Sequence, residues 1–255
     1  MEEILIVLLG LVVGSFMNVV IHRLPLEQSI VKPRSACPSC KTPIKAYDNI
    51  PVLSYIILLG KCRYCKAHIS IRYPLVELFT GFTFWMAFKY FAGVSPLHAA
   101  ATTIFLCMMI ALCLIDLEHM ILPDEITLGG AVLFLIYSFF NPQLSVLDAF
   151  ASAIVSAGAF FALYYFYLRI RKIEGLGHGD IKMMLLLGAF LGSQKLVIAV
   201  LIASFSGMLV GFYFILFKRK DMQFALPFGT FLAIGSYIAT FWGNDIMRAI
   251  QSLYW

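Results

Sequence analysis

The stretch PLHAAATTIFLCMMIALCLI, residues 96–115, contains no Asp, Glu, Lys or Arg and runs straight into DLEHMILPDEIT, residues 116–127, which carries four acids. A helix of about 20 apolar residues crosses the ~30 Å of a bilayer's hydrocarbon, so the first segment reads as a membrane span and the second as its exit. The same pattern recurs on both sides. Upstream lie the runs Ile4–Ile21 and Leu75–Phe91. Downstream lie Ile126–Phe140, Ala149–Leu168, Ile181–Leu191, Leu196–Phe217 and Phe224–Trp242. Short turns such as Asn141-Pro142 and Gly192-Ser193-Gln194-Lys195 separate them. The expected fold class is therefore all-α, a polytopic transmembrane bundle of about eight spans.

Composition supports that solvent. Hydrophobic residues make up 61% of the 255 and charged residues 13%, against roughly 45–50% and 25% in soluble domains. So few charges cannot cover an aqueous surface. The N-terminus, Met1-Glu2-Glu3, is acidic where a secretory signal is basic, and no small-residue cleavage site follows, so the first run reads as a retained span. Nineteen Lys+Arg against 14 Asp+Glu would suggest nucleic acid for a soluble chain. Here placement along the chain accounts for them, and no nucleic-acid partner is expected. With the N-terminus outside, segments 22–72, 116–125, 169–182 and 218–223 are cytoplasmic and hold every basic residue except Lys89, Lys195 and Arg248. The positive-inside bias thus puts both termini on the extracytoplasmic side.

One long extramembrane stretch remains, residues 22–74, and it holds Cys37-Pro38-Ser39-Cys40 and Cys62-Arg63-Tyr64-Cys65. Two C-x-x-C pairs supply four thiolates for a tetrahedral zinc site with no open position, which makes the ion structural. The loop has too few apolar residues for its own core, and a metal would supply the missing folding energy. Two disulfides are the rival reading, disfavoured in a reduced cytoplasm. Cys107 and Cys113 lie inside a span and read as small apolar residues. The expected organisation is a first span (1–21), a zinc-binding cytoplasmic domain (22–74) that also carries methyl transfer, and a transmembrane protease domain (75–255).

Ionisable groups at membrane depth are costly and usually functional. Asp116 follows an unbroken apolar run. Asp124 after Pro123 reads as an N-cap with Glu125 in the first helical turn, and Glu118 can be merely solvated. A second acid closes Gly175-Leu176-Gly177-His178-Gly179-Asp180 and opens a short apolar run, so it is either a cap or a recessed functional carboxylate. Gly177 and Gly179 permit a close approach by substrate or a neighbouring helix. Two carboxyls meeting in a partly dry site do not both ionise easily. One keeps its proton while the other takes one from water, as in aspartic proteases.

These residues resemble those of the bacterial type IV prepilin peptidases, membrane aspartic proteases of the Gly-x-Gly-Asp type. The matching segments are Gly14 through Pro25, the two cysteine pairs, Ile50 through Tyr55, Ile71 through Glu77, Ile115-Asp116 through Asp124, Gly177 through Lys182, and Pro227-Phe228-Gly229. The resemblance implies a bacterial inner-membrane enzyme of type IV pilus and type II secretion systems. It would cleave the basic leader of prepilins and pseudopilins at the cytoplasmic face, with Asp116 and Asp180 catalytic. It also implies N-methylation of the new N-terminus by S-adenosylmethionine. No strand–glycine–helix nucleotide unit is present, so the methyl-donor site must be of another kind. Asn18, Arg23 and Glu77 are its candidates. Their alternative readings are an interhelical hydrogen bonder, a lipid-anchoring cation and an ion-pair partner. Around Pro227-Phe228-Gly229 only turns or packing are expected, and no role attaches to His178.

Six of the 14 acids, Asp116, Glu118, Asp124, Glu125, Glu174 and Asp180, cluster in the cytoplasmic segments. They form the expected negative mouth for a basic leader, with Gly177 and Gly179 lining it, while the basic rim holds anionic lipid. The alternatives are a peptidase without methyl transfer, an ion-coupled transporter using the paired acids as a relay, and a zinc-bearing membrane scaffold.

Overall fold

The structure, a computed structural model, describes residues 1–172, 177–218 and 226–252. Among these there is no β-strand, and eight α-helices account for most of the chain: α1 Glu2–Arg23, α2 Leu53–Ile57, α3 Arg72–Phe91, α4 Pro96–His119, α5 Asp124–Tyr137, α6 Val146–Arg171, α7 His178–Lys218 and α8 Phe228–Gln251. Four helical stretches, Glu2–Leu26, Pro96–His119, Val146–Ile170 and His178–Phe217, are long and apolar enough to cross a membrane. The chain divides into two compact units, Met1–Cys107 and Met108–Trp255.

In the first unit α1 and α3 lie backbone to backbone. A Cβ on Gly10 would sit 2.8 Å from Gly81 Cα, and one on Gly14 would sit 2.7 Å from Glu77 Cα. This is the small-residue packing that lipid favours, where dispersion and backbone proximity replace hydrophobic drive. Asn18 Nδ2 extends the seam by donating to Tyr73 O at 3.1 Å. The second apolar run, as α3, thus packs against the first, and the first compact unit extends to Cys107, inside α4.

In the second unit α7 is central, packed on α5, α6 and α8. Gly188 makes room for α6, since a Cβ there would lie 2.5 Å from Ala153 N. Gly130 does the same for Leu186, and Gly235 for Ala199 O. Met183, Met184, Leu186, Leu187 and Leu232 are fully buried, and Phe134 meets Phe190 edge-on at 4.9 Å.

The sixth and seventh apolar runs are two arms of α7, broken at a single residue, Gly192 (φ 69°, ψ 178°). The expected turn over residues 192–195 is thus shorter than its sequence suggests. Asp148 supplies the reason. Its carboxylate accepts from Ser193 N at 3.3 Å, capping the second arm at once, while Leu144 and Asp148 fill the space a side chain at 192 would need. The second arm runs antiparallel to α8. Gly207 contacts Phe231 near the start of α8, whereas Lys195 contacts Gly243 well along it.

Candidate active site

Three helix ends of the second unit converge on Leu122. α4 ends just beyond Asp116, with Met120 N bonded to Asp116 O at 2.9 Å and Met120 in the left-handed region (φ 54°). The reversed chain carries Leu122 inward before α5 begins. A Cβ on Gly179 would lie 3.0 Å from Leu122 Cβ, and one on Gly229 would lie 2.9 Å from Leu122 Cδ1. Leu122 therefore wedges between the start of α7 and the start of α8, and a side chain at either glycine would crowd it.

Asp116 and Asp180 flank this wedge. Both are buried, with 5% and 8% of their surface exposed, and Leu122 meets both Gly179, the neighbour of Asp180, and Gly229, which lies beside Asp116 Oδ2. Asp180 is the third residue of α7; its amide bonds to Gly177 O at 3.1 Å, and its Oδ2 would be 3.2 Å from a Cβ at Gly177. Asp116 Oδ2 accepts from Thr230 N at 2.6 Å and lies 3.1 Å from Thr230 Oγ1. Thr230 N is one of the first amides of α8, which lack intrahelical partners, so Asp116 caps a helix 114 residues away. Thr230 and Leu122 are the two residues that sequence reasoning overlooked. A threonine in a helix's first turn and a loop leucine carry no distinctive signal; only tertiary contact reveals them.

The remaining acids are arranged less uniformly. Asp124 is not an N-cap: Pro123 holds that position, and Asp124 turns to Lys182 Nζ at 2.6 and 2.9 Å. Its charge is compensated, so it adds little to a negative mouth. Glu118 and Glu125 are exposed, and Gly177 is open to solvent. Glu174 lies outside the described residues. His178 packs its ring on Tyr164 at 4.5 Å.

In the first unit Cys37, Cys40, Cys62 and Cys65 place their sulfurs within 4.8 Å of one another, with Cys37 and Cys65 Sγ 3.8 Å apart. Tetrahedral zinc with ~2.3 Å bonds requires sulfur separations of about 3.8 Å. The two cysteine turns share one geometry. Cys37 N bonds Thr42 O and Lys41 N bonds Cys37 O, while Cys62 N bonds Ala67 O and Lys66 N bonds Cys62 O. Lys41 (φ 58°) and Lys66 (φ 59°) hold equivalent left-handed positions. Hydrogen bonding to the Thr42 side chain and amide holds the Cys40 thiol down at about 6, and the amides of Cys65 and Tyr64 lower Cys62, whereas burial and the three neighbouring sulfurs push Cys65 up to about 11, so four thiolates this close need a cation among them. The donor set thus suits a cation that takes thiolates.

Beside the cysteines lies a cavity of about 500 Å³ whose lining includes Asn18, Arg23, Tyr55, His68 and Glu77. Glu77 Oε2 accepts from Val52 N at 2.7 Å, holding Val52 at φ 61°. Arg23 reaches Ser29 O at 3.0 Å. All three candidate donor-binding residues line this cavity, although Asn18 and Glu77 also tie the unit together.

Comparison with known proteins fits both units. Residues 8–91 match the Bacterial Peptidase A24 N-terminal domain, and residues 103–212 match the Type IV leader peptidase family. The chain belongs to that family. Similar relatives are named prepilin leader peptidase/N-methyltransferase. One from Pseudomonas putida is 38% identical, with 96% of this chain and 92% of the relative aligned. One from Aeromonas hydrophila is 37% identical over 96% and 92%, and one from Legionella pneumophila 37% over 94% and 91%. No solved structure matches the chain. Among the described residues, Asp116 and Asp180 are the buried acids of the segment that matches the peptidase family, and the four cysteines lie in the segment that matches the N-terminal domain.

Proposed function

We propose that this chain cleaves the basic leader from type IV prepilins and pseudopilins and then methylates the exposed N-terminal amine. The observation that carries the peptidase half is the pair of buried carboxyls gathered around Leu122, one of them held by a single oxygen. Peptide hydrolysis needs a base and an acid at once. One carboxylate takes a proton from water as its oxygen attacks the scissile carbonyl. The other gives its proton to the departing amide nitrogen. Exposed Glu118 and Glu125 draw the cationic leader inward, and Gly177 and Gly179 leave room for an extended peptide beside Asp180.

The cysteine cluster holds zinc as a closed structural site. Asn18, Arg23 and Glu77 would hold S-adenosylmethionine in the cavity they line, where it would supply an electrophilic methyl group and the Glu77 carboxylate would complement its positive charge. In the bacterial inner membrane α1, α3, α4, α5, α6, the two arms of α7 and α8 serve as eight spans, with the five-residue α2 outside the count. Both termini are extracytoplasmic, and the dyad faces the cytoplasm. The first arm of α7 covers residues 178–191, about 21 Å at ~1.5 Å per residue, so its start is recessed below the headgroups. Basic residues around that face hold anionic lipid.

The test is incubation of a prepilin with labelled S-adenosylmethionine, using wild type and Asp180→Asn, with cleavage and label scored separately by mass. Wild type yields trimmed, labelled pilin, and Asp180→Asn yields neither product from full-length prepilin. Full cleavage by Asp180→Asn would remove the dyad.

A further inference from the structure

Asp116 is gripped on one side only. Oδ2 receives Thr230 N and lies beside Thr230 Oγ1, whereas Oδ1 takes no hydrogen bond among the described residues. The same hydroxyl lies 3.1 Å from Cys113 O, in the turn of α4 that precedes Asp116. A hydroxyl has one hydrogen and two acceptor sites, so Thr230 cannot donate to both oxygens together. Cys113 O belongs to the α4 ladder and keeps a backbone partner whichever way the hydroxyl turns.

We propose that Thr230 is the positioning residue of the peptidase reaction, its amide pinning Asp116 Oδ2 and its hydroxyl rotating to match the proton content of that carboxyl. With Asp116 ionised, the hydroxyl donates to Oδ2. With a proton on Oδ2, that oxygen donates to Thr230 Oγ1, and the hydroxyl hydrogen turns to Cys113 O. Each state is fully hydrogen bonded, and no heavy atom moves between them. Oδ1 takes no hydrogen bond from Thr230 in either state. The inference rests on the dyad reading of Asp116 and Asp180. It adds a residue outside the motifs that carry the acids, drawn from α8.

Thr230→Val keeps the side-chain shape and the amide but removes the hydroxyl; Thr230→Ser keeps the hydroxyl. Cleavage of a prepilin in detergent micelles is followed with kcat and KM separated. Methylation of already trimmed pilin by the same preparations reports that the chain is folded. A hydrogen bond to a charged group corresponds to about 10- to 100-fold. Thr230→Val is expected to lose that factor in kcat, with KM within about twofold and methylation retained. Thr230→Ser is expected to recover kcat to within about threefold. An unchanged kcat in Thr230→Val, a loss confined to KM, or a Thr230→Ser variant as slow as valine overturns the assignment. Asp116→Asn and Asp180→Asn are assayed alongside. Cleavage surviving in both removes the dyad itself, whereas their inactivity together with a fully active Thr230→Val removes only the role of Thr230.

Discussion

A methyl group added by Gly229→Ala would meet two neighbours of different character. It would lie 2.9 and 3.0 Å from the δ carbons of Leu122, and 3.1 Å from Asp116 Oδ2. Carbon contacts settle near 3.5–4.0 Å, so Leu122 must give by roughly 0.5–1 Å. Overpacking of this kind costs about 1–3 kcal/mol. Carbon–oxygen contacts settle near 3.3–3.6 Å, so the carboxylate must shift by about 0.2–0.5 Å. At ~100-fold in rate per ångström of misplacement, that shift costs roughly 3- to 10-fold in kcat. The two effects separate in a double variant. Leu122→Ala removes both δ carbons and leaves a cavity that the new methyl partly fills, but it leaves Asp116 Oδ2 where Thr230 holds it. Gly229→Ala with Leu122→Ala is therefore expected to recover about 1–2 kcal/mol relative to the sum of the single changes, read as thermal midpoints in detergent. The kcat deficit of Gly229→Ala is expected to persist. Full recovery of kcat in the double variant would show that Leu122, and not the carboxylate contact, transmits the damage. Wild-type kcat in Gly229→Ala alone would refute the geometry.

Gly188→Ala and Gly158→Ala form a contrasting pair: the first puts a methyl 2.5 Å from Ala153 N, where backbone must move, and the second meets nothing within 4 Å. The first is expected to destabilise by about 3 kcal/mol or more, and the second to gain up to ~1 kcal/mol of helix propensity, both by thermal unfolding. Cys62→Ser combined with Cys65→Ser is expected to abolish metal binding, measured by elemental analysis against one zinc per wild-type chain, and to lower methylation far more than cleavage. Neutralising Glu118 and Glu125 is expected to raise KM for a basic leader, more steeply at low salt, whereas Asp124→Asn has a smaller effect because Lys182 already compensates it. Equal effects at all three positions would remove the steering role.

The acids and cysteines were legible because each breaks a local rule: Asp116 ends a run in which no charge is expected, and paired C-x-x-C spacing has few uses. The helical runs were legible from length and hydropathy alone. What escaped was relational. Thr230 gains its meaning from Asp116, 114 positions earlier, and Leu122 from two glycines that are far apart in the chain. The brevity of the Gly192 break depends on Asp148, which looks like an ordinary first-turn acid of α6. Asp124 has a good capping context, yet Pro123 takes the cap and a lysine 58 residues on takes the charge. Local preference cannot report such exchanges.

The glycine seam between α1 and α3 also bears on the cysteine loop it brackets. Gly14 and Glu77 touch through their backbones, and Asn18 ties to Tyr73, so the two ends of the intervening segment are already stapled side by side. Bringing such ends together from a free chain carries an entropic penalty that grows with the logarithm of length. Here the helix pair has met that penalty before any ion arrives. The four sulfurs therefore bind as parts of a pre-closed ring, and the same loop cut free as a peptide would hold its metal more weakly.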